Sequence, residues 1–327
     1  MVKESLVSFI FACALAGCTP DFSDATTTVS APRLLAVAGT PAEGPPGSTF
    51  TLRALYDDGE GPADAGSVEW ATCLLQKPLG DPGSVNPACL GDLATGMLRL
   101  GVGDVVKGAV PTNACELFGP ESLPPLPGQP SARPTDPDST GGYYLPIRVT
   151  AGGNDDSVAF ERIACQPSGI LESAFAAFST GYILNENPVV SALSRFGEAG
   201  TATAIRPDAP GSKPAITIEP GAVTSLRAEW PSCPATPAAC HGAETYLLID
   251  ESTRNLTTSR ESMVASWYSS AGSFLLDRVG RDGSDVTSSV VNTWTAPTVT
   301  GVVHVWVVLR DARGGVGWES YTLDVER

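Results

Sequence analysis

The sequence predicts an all-β chain of two tandem antiparallel β-sandwiches with long Pro/Gly-rich loop insertions. Three observations carry the prediction. Residues 46–54 read PGSTFTLRA and residues 220–228 read PGAVTSLRA, identical at five of nine positions and β-favouring after a Pro-Gly turn. A tryptophan strand follows each copy, Val68-Glu69-Trp70 in the first and Ala265-Ser266-Trp267 in the second. Each copy then closes with a hairpin: Tyr143–Thr150 with Ser157–Ile163, and Val302–Arg310 with Val316–Val325, both across glycine-containing turns. Period-2 patterns dominate and long amphipathic runs are scarce, as antiparallel sheets require. The 34 glycines and 28 prolines show no period, which indicates turns and loops.

The elements follow in order. Lys3 precedes an apolar run from Leu6 to Ala16 that ends in Leu15-Ala16-Gly17-Cys18. A short basic start, a short apolar core and small residues before a cysteine describe a secretory signal, here residues 1–17. The run is too short for a bilayer, which takes roughly 20 apolar residues. Cleavage between Gly17 and Cys18 makes Cys18 the first mature residue and removes Cys13. The motif resembles the lipobox of bacterial lipoproteins. That resemblance implies a Cys18 acylated on thiol and amino group, and more than one acyl chain gives stable anchoring. Thr19 follows where Asp often marks inner-membrane retention in that family, so the resemblance points to the outer membrane. The polar, threonine-rich residues 18–30 read as a flexible tether.

The first β-domain is expected over 31–185 and the second over 186–327, divided near Asn185-Glu186-Asn187-Pro188. Their openings correspond, Pro32–Val37 against Asn187–Ala192. Within the first, residues 111–140 form an irregular insertion, with eight prolines between Pro111 and Pro137. Residues 166–185 form a linker in which Leu171–Phe178 makes a short helix or a strand. In the second, Arg206–Pro214 is a smaller loop. Val302–Leu309 is the most apolar run, and its β-branched residues mark a buried strand.

A buried tryptophan on a central strand, followed by a late hairpin, resembles immunoglobulin-like or fibronectin-like domains, whose fold this implies for both copies. The chain departs from antibody domains because no cysteines sit on both strands flanking the core. Lipobox, tether, tandem repeats and the turn Leu309–Gly315 together resemble surface lipoproteins of myxobacteria, a resemblance that implies no activity.

Six cysteines remain in the mature chain besides Cys18, an even number that reads as disulfides in an exported protein. Cys233 and Cys240 are near neighbours and are expected to pair. Cys73, Cys89, Cys115 and Cys165 allow three connectivities; Cys73 with Cys89 and Cys115 with Cys165 is favoured without being decided. Long spacings and only two histidines argue against zinc.

A net charge of −16 and no basic stripe exclude nucleic acid as a natural partner. No Gly-x-Ser-x-Gly, His-Glu-x-x-His or phosphate-loop motif is present. His304 alternates with Val303 and Val305 and so points away from the apolar face; His241 lies in a loop. Acidic clusters at Asp57, Asp58 and Glu60, at Asp136 and Asp138, at Asp155 and Asp156, and at Asp282 and Asp285 sit among turn residues. There aspartate commonly caps its own backbone. Structural calcium is the sharper alternative for such loops, and no other cofactor or metal is expected. Trp70 and Trp267 are expected in the cores and Trp294 and Trp318 are unassigned. Asn255-Leu256-Thr257 fits a glycosylation sequon that carries no weight in a bacterial lipoprotein. The sequence thus predicts a membrane partner through the N-terminal lipid, a protein or polysaccharide ligand, and no catalytic residues. The competing readings are a carboxylate hydrolase, with two acids meeting in a cleft, and an assembly factor with a long, uncharged open sheet edge.

Overall fold

The computed structural model describes residues 26–61, 68–76, 85–91, 96–119, 140–152, 155–167, 172–196, 201–209, 213–250, 252–253 and 255–327. Gly17, Cys18, the start of the tether, and Asp136 and Asp138 lie outside them. Among the described residues the chain is all-β, with two sandwiches and two short helices.

The first sandwich comprises β1 (Arg33–Thr40), β2 (Glu43–Gly44), β3 (Thr49–Asp57), β4 (Val68–Cys73), β5 (Met97–Val102), β6 (Val105–Ala109), helix α1 (Ala114–Phe118), β7 (Gly142–Ala151) and β8 (Asp155–Ala164). One sheet runs β1-β3-β6 and the other β2-β8-β7-β4-β5. Alternate residues of β3, β4 and β7 point inward, so Phe50, Leu52, Val68, Trp70, Leu145, Ile147 and Val149 share one core. The indole N–H of Trp70 donates to the Gly103 carbonyl at 2.6 Å.

After helix α2 (Glu172–Gly181), the second sandwich comprises β9 (Ala192–Phe196), β10 (Ala202–Ile205), β11 (Thr217–Ile218), β12 (Val223–Glu229), β13 (Thr245–Ile249), β14 (Leu256–Arg260), β15 (Met263–Ser269), β16 (Ser273–Phe274), β17 (Arg278–Arg281), β18 (Ser289–Thr295), β19 (Gly301–Asp311) and β20 (Val316–Val325). Its sheets run β10-β9-β12-β18-β16 and β11-β20-β19-β15-β17, with β13–β14 as a separate hairpin.

The repeat is topological as well as sequential. β1-β3-β6 matches β9-β12-β18, and β2-β8-β7-β4-β5 matches β11-β20-β19-β15-β17. In both copies a two-residue strand, β2 or β11, pairs in parallel with the last strand, while the other strand pairs of the two sandwiches are antiparallel. This is the immunoglobulin-like arrangement. The repeated segments 46–54 and 220–228 build most of β3 and β12, and Trp70 and Trp267 occupy matching strands at 1% and 0% exposure. Trp294 is also a core residue of the second sandwich.

Several local expectations are corrected. Asn187–Ser191 does not repeat the first opening strand: Pro188 has no N–H to donate, and Val189 and Ser191 donate instead to His241 and Glu229. The first hairpin turn is shorter than expected, because pairing extends to Ala151 opposite Asp155. The Pro-rich insertion begins with helix α1, and the 166–185 linker contains helix α2, which resolves the helix-or-strand alternative. Thr27–Val29, assigned to the flexible tether, is docked. Val29 is 1% exposed and donates its N–H to Ser269, whose own N–H donates to Thr27.

Three disulfides pin the loops. Cys73–Cys89 ties the end of β4 to a short 3-10 turn, Cys115–Cys165 ties α1 to the chain leaving β8, and Cys233–Cys240 closes a loop between β12 and β13.

Strand β19 is buried on both faces. Val303, Val305, Val307 and Leu309 enter the second core, while Trp306 and Val308 pack against Val29, Leu35, Ala36 and Leu55. The continuous apolar run is thus a strand between a core and an interdomain contact.

Candidate functional site

The junction between the sandwiches concentrates the chemistry of the molecule, in two parts: a buried polar joint and an open groove. The joint begins with the β19–β20 turn. Asp311 accepts the N–H groups of Arg313 at 2.9 Å and Gly315 at 2.8 Å, which folds the turn back on itself. Gly314 takes φ of 100°, a conformation that favours glycine. The turn directs the Arg313 side chain inward, and the residue is 2% exposed.

Its guanidinium donates from Nε to Glu261 at 2.7 Å, from Nη2 to Glu244, and from Nη1 to the Ile183 carbonyl at 2.9 Å. Nη1 also lies 3.8 Å from Glu43 of the first sandwich. The Tyr246 ring lies 4.6 Å from the guanidinium carbon. Glu43, fully buried, accepts from Arg162 Nε at 3.1 Å, from Tyr182 at 3.0 Å and from the Asn185 N–H at 2.8 Å. Arg162 reaches on to the Tyr144 and Thr140 hydroxyls. Asn187 completes the contact: its side chain donates to the Gly39 carbonyl and accepts from the Val316 N–H at 2.8 Å.

Burial shifts the titrating groups here. It pushes Glu161 up to about 9, with the nearby Glu43 charge adding to the effect. Burial and then Asp311 raise Glu261 to about 8, against the opposing pull of Arg313. Burial raises Glu244 to about 7, although the Cys240 N–H and Arg313 oppose it. Burial would lower Arg313, but Glu261, Tyr182 and Glu43 hold it above its ordinary value.

The groove is lined by both sandwiches and encloses about 680 Å³. Strand β3 supplies Arg53 and Asp57, the β5–β6 turn Asp104, the 206–209 segment Asp208, and β19–β20 His304, Trp306, Trp318 and Glu319. Four carboxylates therefore come from four segments of chain. Arg53 lies over the Trp318 ring, 5.1 Å from its centroid. Burial raises Asp57, with the Gly59 N–H opposing, and burial likewise raises Glu319, with Arg53 opposing.

Sequence-flagged residues separate cleanly. Asp57, His304 and Trp318 come together at the groove. Asp57, Asp58, Asp282 and Asp285 cap turns through the N–H groups of Gly59, Glu60, Ser284 and Thr287. Asp156 takes the Thr150 hydroxyl at 2.5 Å. Among the described residues no three His, Cys, Asp or Glu side chains converge as metal ligands. His241 stands apart in its loop, its Nδ1 3.1 Å from the Asn187 carbonyl. The outer strands of the sandwich sheets are short or charged: β5 carries Arg99, β6 Lys107 and β17 two arginines, while uncharged β10 has four residues. That pattern disfavours an open edge for strand addition.

Glu43, Arg162, Glu244, Glu261 and Tyr182 were not evident from the sequence. Their partners are as many as 142 residues away, as for Glu43 with Asn185, so spacing gives no signal. The one local sign was the turn Asp311–Gly315, whose Asp, Arg and two glycines build the inward arginine.

No protein-family model matches the chain, and no curated protein matches it significantly. Among solved structures it is similar to the D00–D0 domain of intimin, with 8% identity over 89% of this chain and 100% of that one, at a TM-score of 0.21. It is similar to the C-terminal domain of the Streptococcus agalactiae AgI/II polypeptide BspA, with 8% identity over 86% of this chain and 94% of that one, at 0.21. Elastase-activated alpha-2-macroglobulin from Escherichia coli gives 10% identity over 91% of this chain and 22% of that one, at 0.19. Likeness at this level bears on neither function nor partner, and the fold assignment rests on strand order and register.

Proposed function

We propose that the chain is a lipid-anchored, non-catalytic protein of the outer membrane whose two sandwiches bind a protein or polysaccharide segment in the groove between them. The observation that carries this reading is the groove itself. It is formed jointly by both domains, it is bounded by Trp306 and Trp318, and it offers the carboxylates of Asp104, Asp208 and Glu319. Such a surface suits a segment rich in hydrogen-bond donors or positive charge, and repels anionic polymers. The anchor rests on Leu15-Ala16-Gly17-Cys18.

Two experiments test the reading. A Cys18→Ser chain should leave the membrane fraction and fail to incorporate labelled palmitate; continued membrane retention would contradict the anchor. On peptide and glycan arrays, Trp318→Ala with Asp104→Asn should lose the binding shown by the unaltered chain while melting at a similar temperature. Unchanged array binding would contradict the groove.

One observation favours a second reading, a carboxylate hydrolase: Asp57 and Glu319 line the same groove and both hold their protons above the ordinary range. Asp57 is nevertheless 3% exposed and already accepts the Gly59 N–H, which suits a turn cap better than an acid that meets substrate. Turnover of cell-wall or extracellular polymer that disappears in Glu319→Gln would establish this reading over the first.

A further inference from the structure

The polar joint holds charges that do not balance. The first sandwich contributes Glu43 and Glu161 with Arg162; the second contributes Glu244, Glu261 and Asp311 with Arg313. Apart from the half-buried Asp311, none is more than 2% exposed. Among the described residues, five carboxyls thus stand against two guanidiniums. Other polar groups facing them include the hydroxyls of Tyr144, Tyr182 and Thr140, the Asn185 side chain and N–H, the Cys240 and Glu186 N–H groups on Glu244, and the Tyr246 ring.

The geometry deepens the imbalance. Glu161 lies against Gly39, so closely that a Cβ there would overlap its carboxylate, and its Oε1 has no hydrogen-bond partner among the described residues. An ionised carboxylate buried without a partner is strongly disfavoured. Glu244 and Glu261 also lie close together, with the Glu244 N–H donating to Glu261 at 3.0 Å, and they share the single guanidinium of Arg313.

We infer that the joint is a proton-dependent clasp: its two faces stay together while some of these buried carboxyls hold protons, and they part as those carboxyls ionise. Full ionisation would leave the described residues of the joint with an excess of three negative charges. Negative charge would then face negative charge across it, from Glu43, with Glu161 behind it, on one side and from Glu244, Glu261 and Asp311 on the other. Parting lets water solvate them. The elevated values of Glu161, Glu261 and Glu244 place the change between neutral and mildly alkaline pH. The cores carry no such load and remain folded.

Hydrogen–deuterium exchange of the full chain in detergent, from pH 6 to 9.5 and corrected for intrinsic rates, tests this. Peptides containing the Asn185 and Val316 amides should lose protection at least tenfold as pH rises, while peptides from β7 and β19 keep theirs. In Glu161→Gln with Glu261→Gln the loss should move to higher pH or vanish. Glu261→Gln alone should shift it less. Constant protection at Asn185 and Val316, or loss in step with β7 and β19, would overturn the inference. So would an unshifted transition in variants whose β7 and β19 protection shows them folded.

Discussion

Arg313 of the β19–β20 turn and Glu43 of β2 lie 3.8 Å apart across the junction, with side chains 3% and 0% exposed. Each is also the centre of its own domain's polar contacts, Arg313 with Glu244 and Glu261, Glu43 with Arg162 and Tyr182. Tyr182 and Asn185 bridge the same two networks, Tyr182 bonding both Glu43 and Arg313 and Asn185 both Glu43 and Asp311. In the apolar contact of Leu35, Ala36, Leu55, Trp306 and Val308 across the same junction, Leu55 and Trp306 line the groove.

Arg313→Met removes the guanidinium and leaves Glu244 and Glu261 without their main partner. Losing a hydrogen bond to a charged group typically costs about 1.5–3 kcal/mol, and Arg313 donates several. Urea unfolding at pH 6 should show a loss on that scale. Arg313→Lys should recover little of it, because an ammonium cannot reproduce the forked contacts to two carboxyls and the Ile183 carbonyl.

Stability should fall as pH rises from 5 to 9. Glu161, Glu261 and Glu244 titrate near 9, 8 and 7 in the fold, above the 4.5 expected of an unfolded glutamate. The folded chain therefore holds protons that the unfolded chain releases. Their contribution is fully present below about pH 4.5 and is lost as pH rises through the folded values. Each group protonated only in the fold contributes a slope of about 1.4 kcal/mol per pH unit. Thermal unfolding across this range checks the sign, and Glu161→Gln should flatten the curve.

Gly39→Ala places a methyl group against the Glu161 carboxylate. Overpacking of this kind costs about 1–3 kcal/mol. Calorimetry should show a lower melting temperature, partly restored when Glu161 is shortened to alanine in the same chain.

The disulfides should differ in value with the loops they close. Cys115–Cys165 spans 50 residues and Cys233–Cys240 spans 7. Loop-closure entropy gives about 4 kcal/mol for the first and about 2 kcal/mol for the second. Denaturant midpoints of the paired serine variants should follow that order.

The fold was legible because its signals are local. The PGSTFTLRA repeat, the tryptophans of β4 and β15, and the glycine turns of the hairpins each act within one or two strands. The junction was not, because its partners are brought together only by tertiary packing. Glu43 in an EG dipeptide and Glu261 in an RES tripeptide look like ordinary surface acids. Val302–Leu309 did signal a buried strand, but not that its second face would meet another domain. Thr27–Val29 looked like tether because polar threonines dominate it, whereas the single Val29 side chain and two backbone hydrogen bonds dock it.

A double-mutant cycle across the junction tests most directly whether Arg313 and Glu43 make the two sandwiches one body. Unfolding free energies of the unaltered chain, Arg313→Met, Glu43→Gln and the double variant yield the coupling between them. A favourable coupling of about 1–3 kcal/mol at pH 6 is the expected result. Additive losses, with no coupling beyond error, would contradict the account.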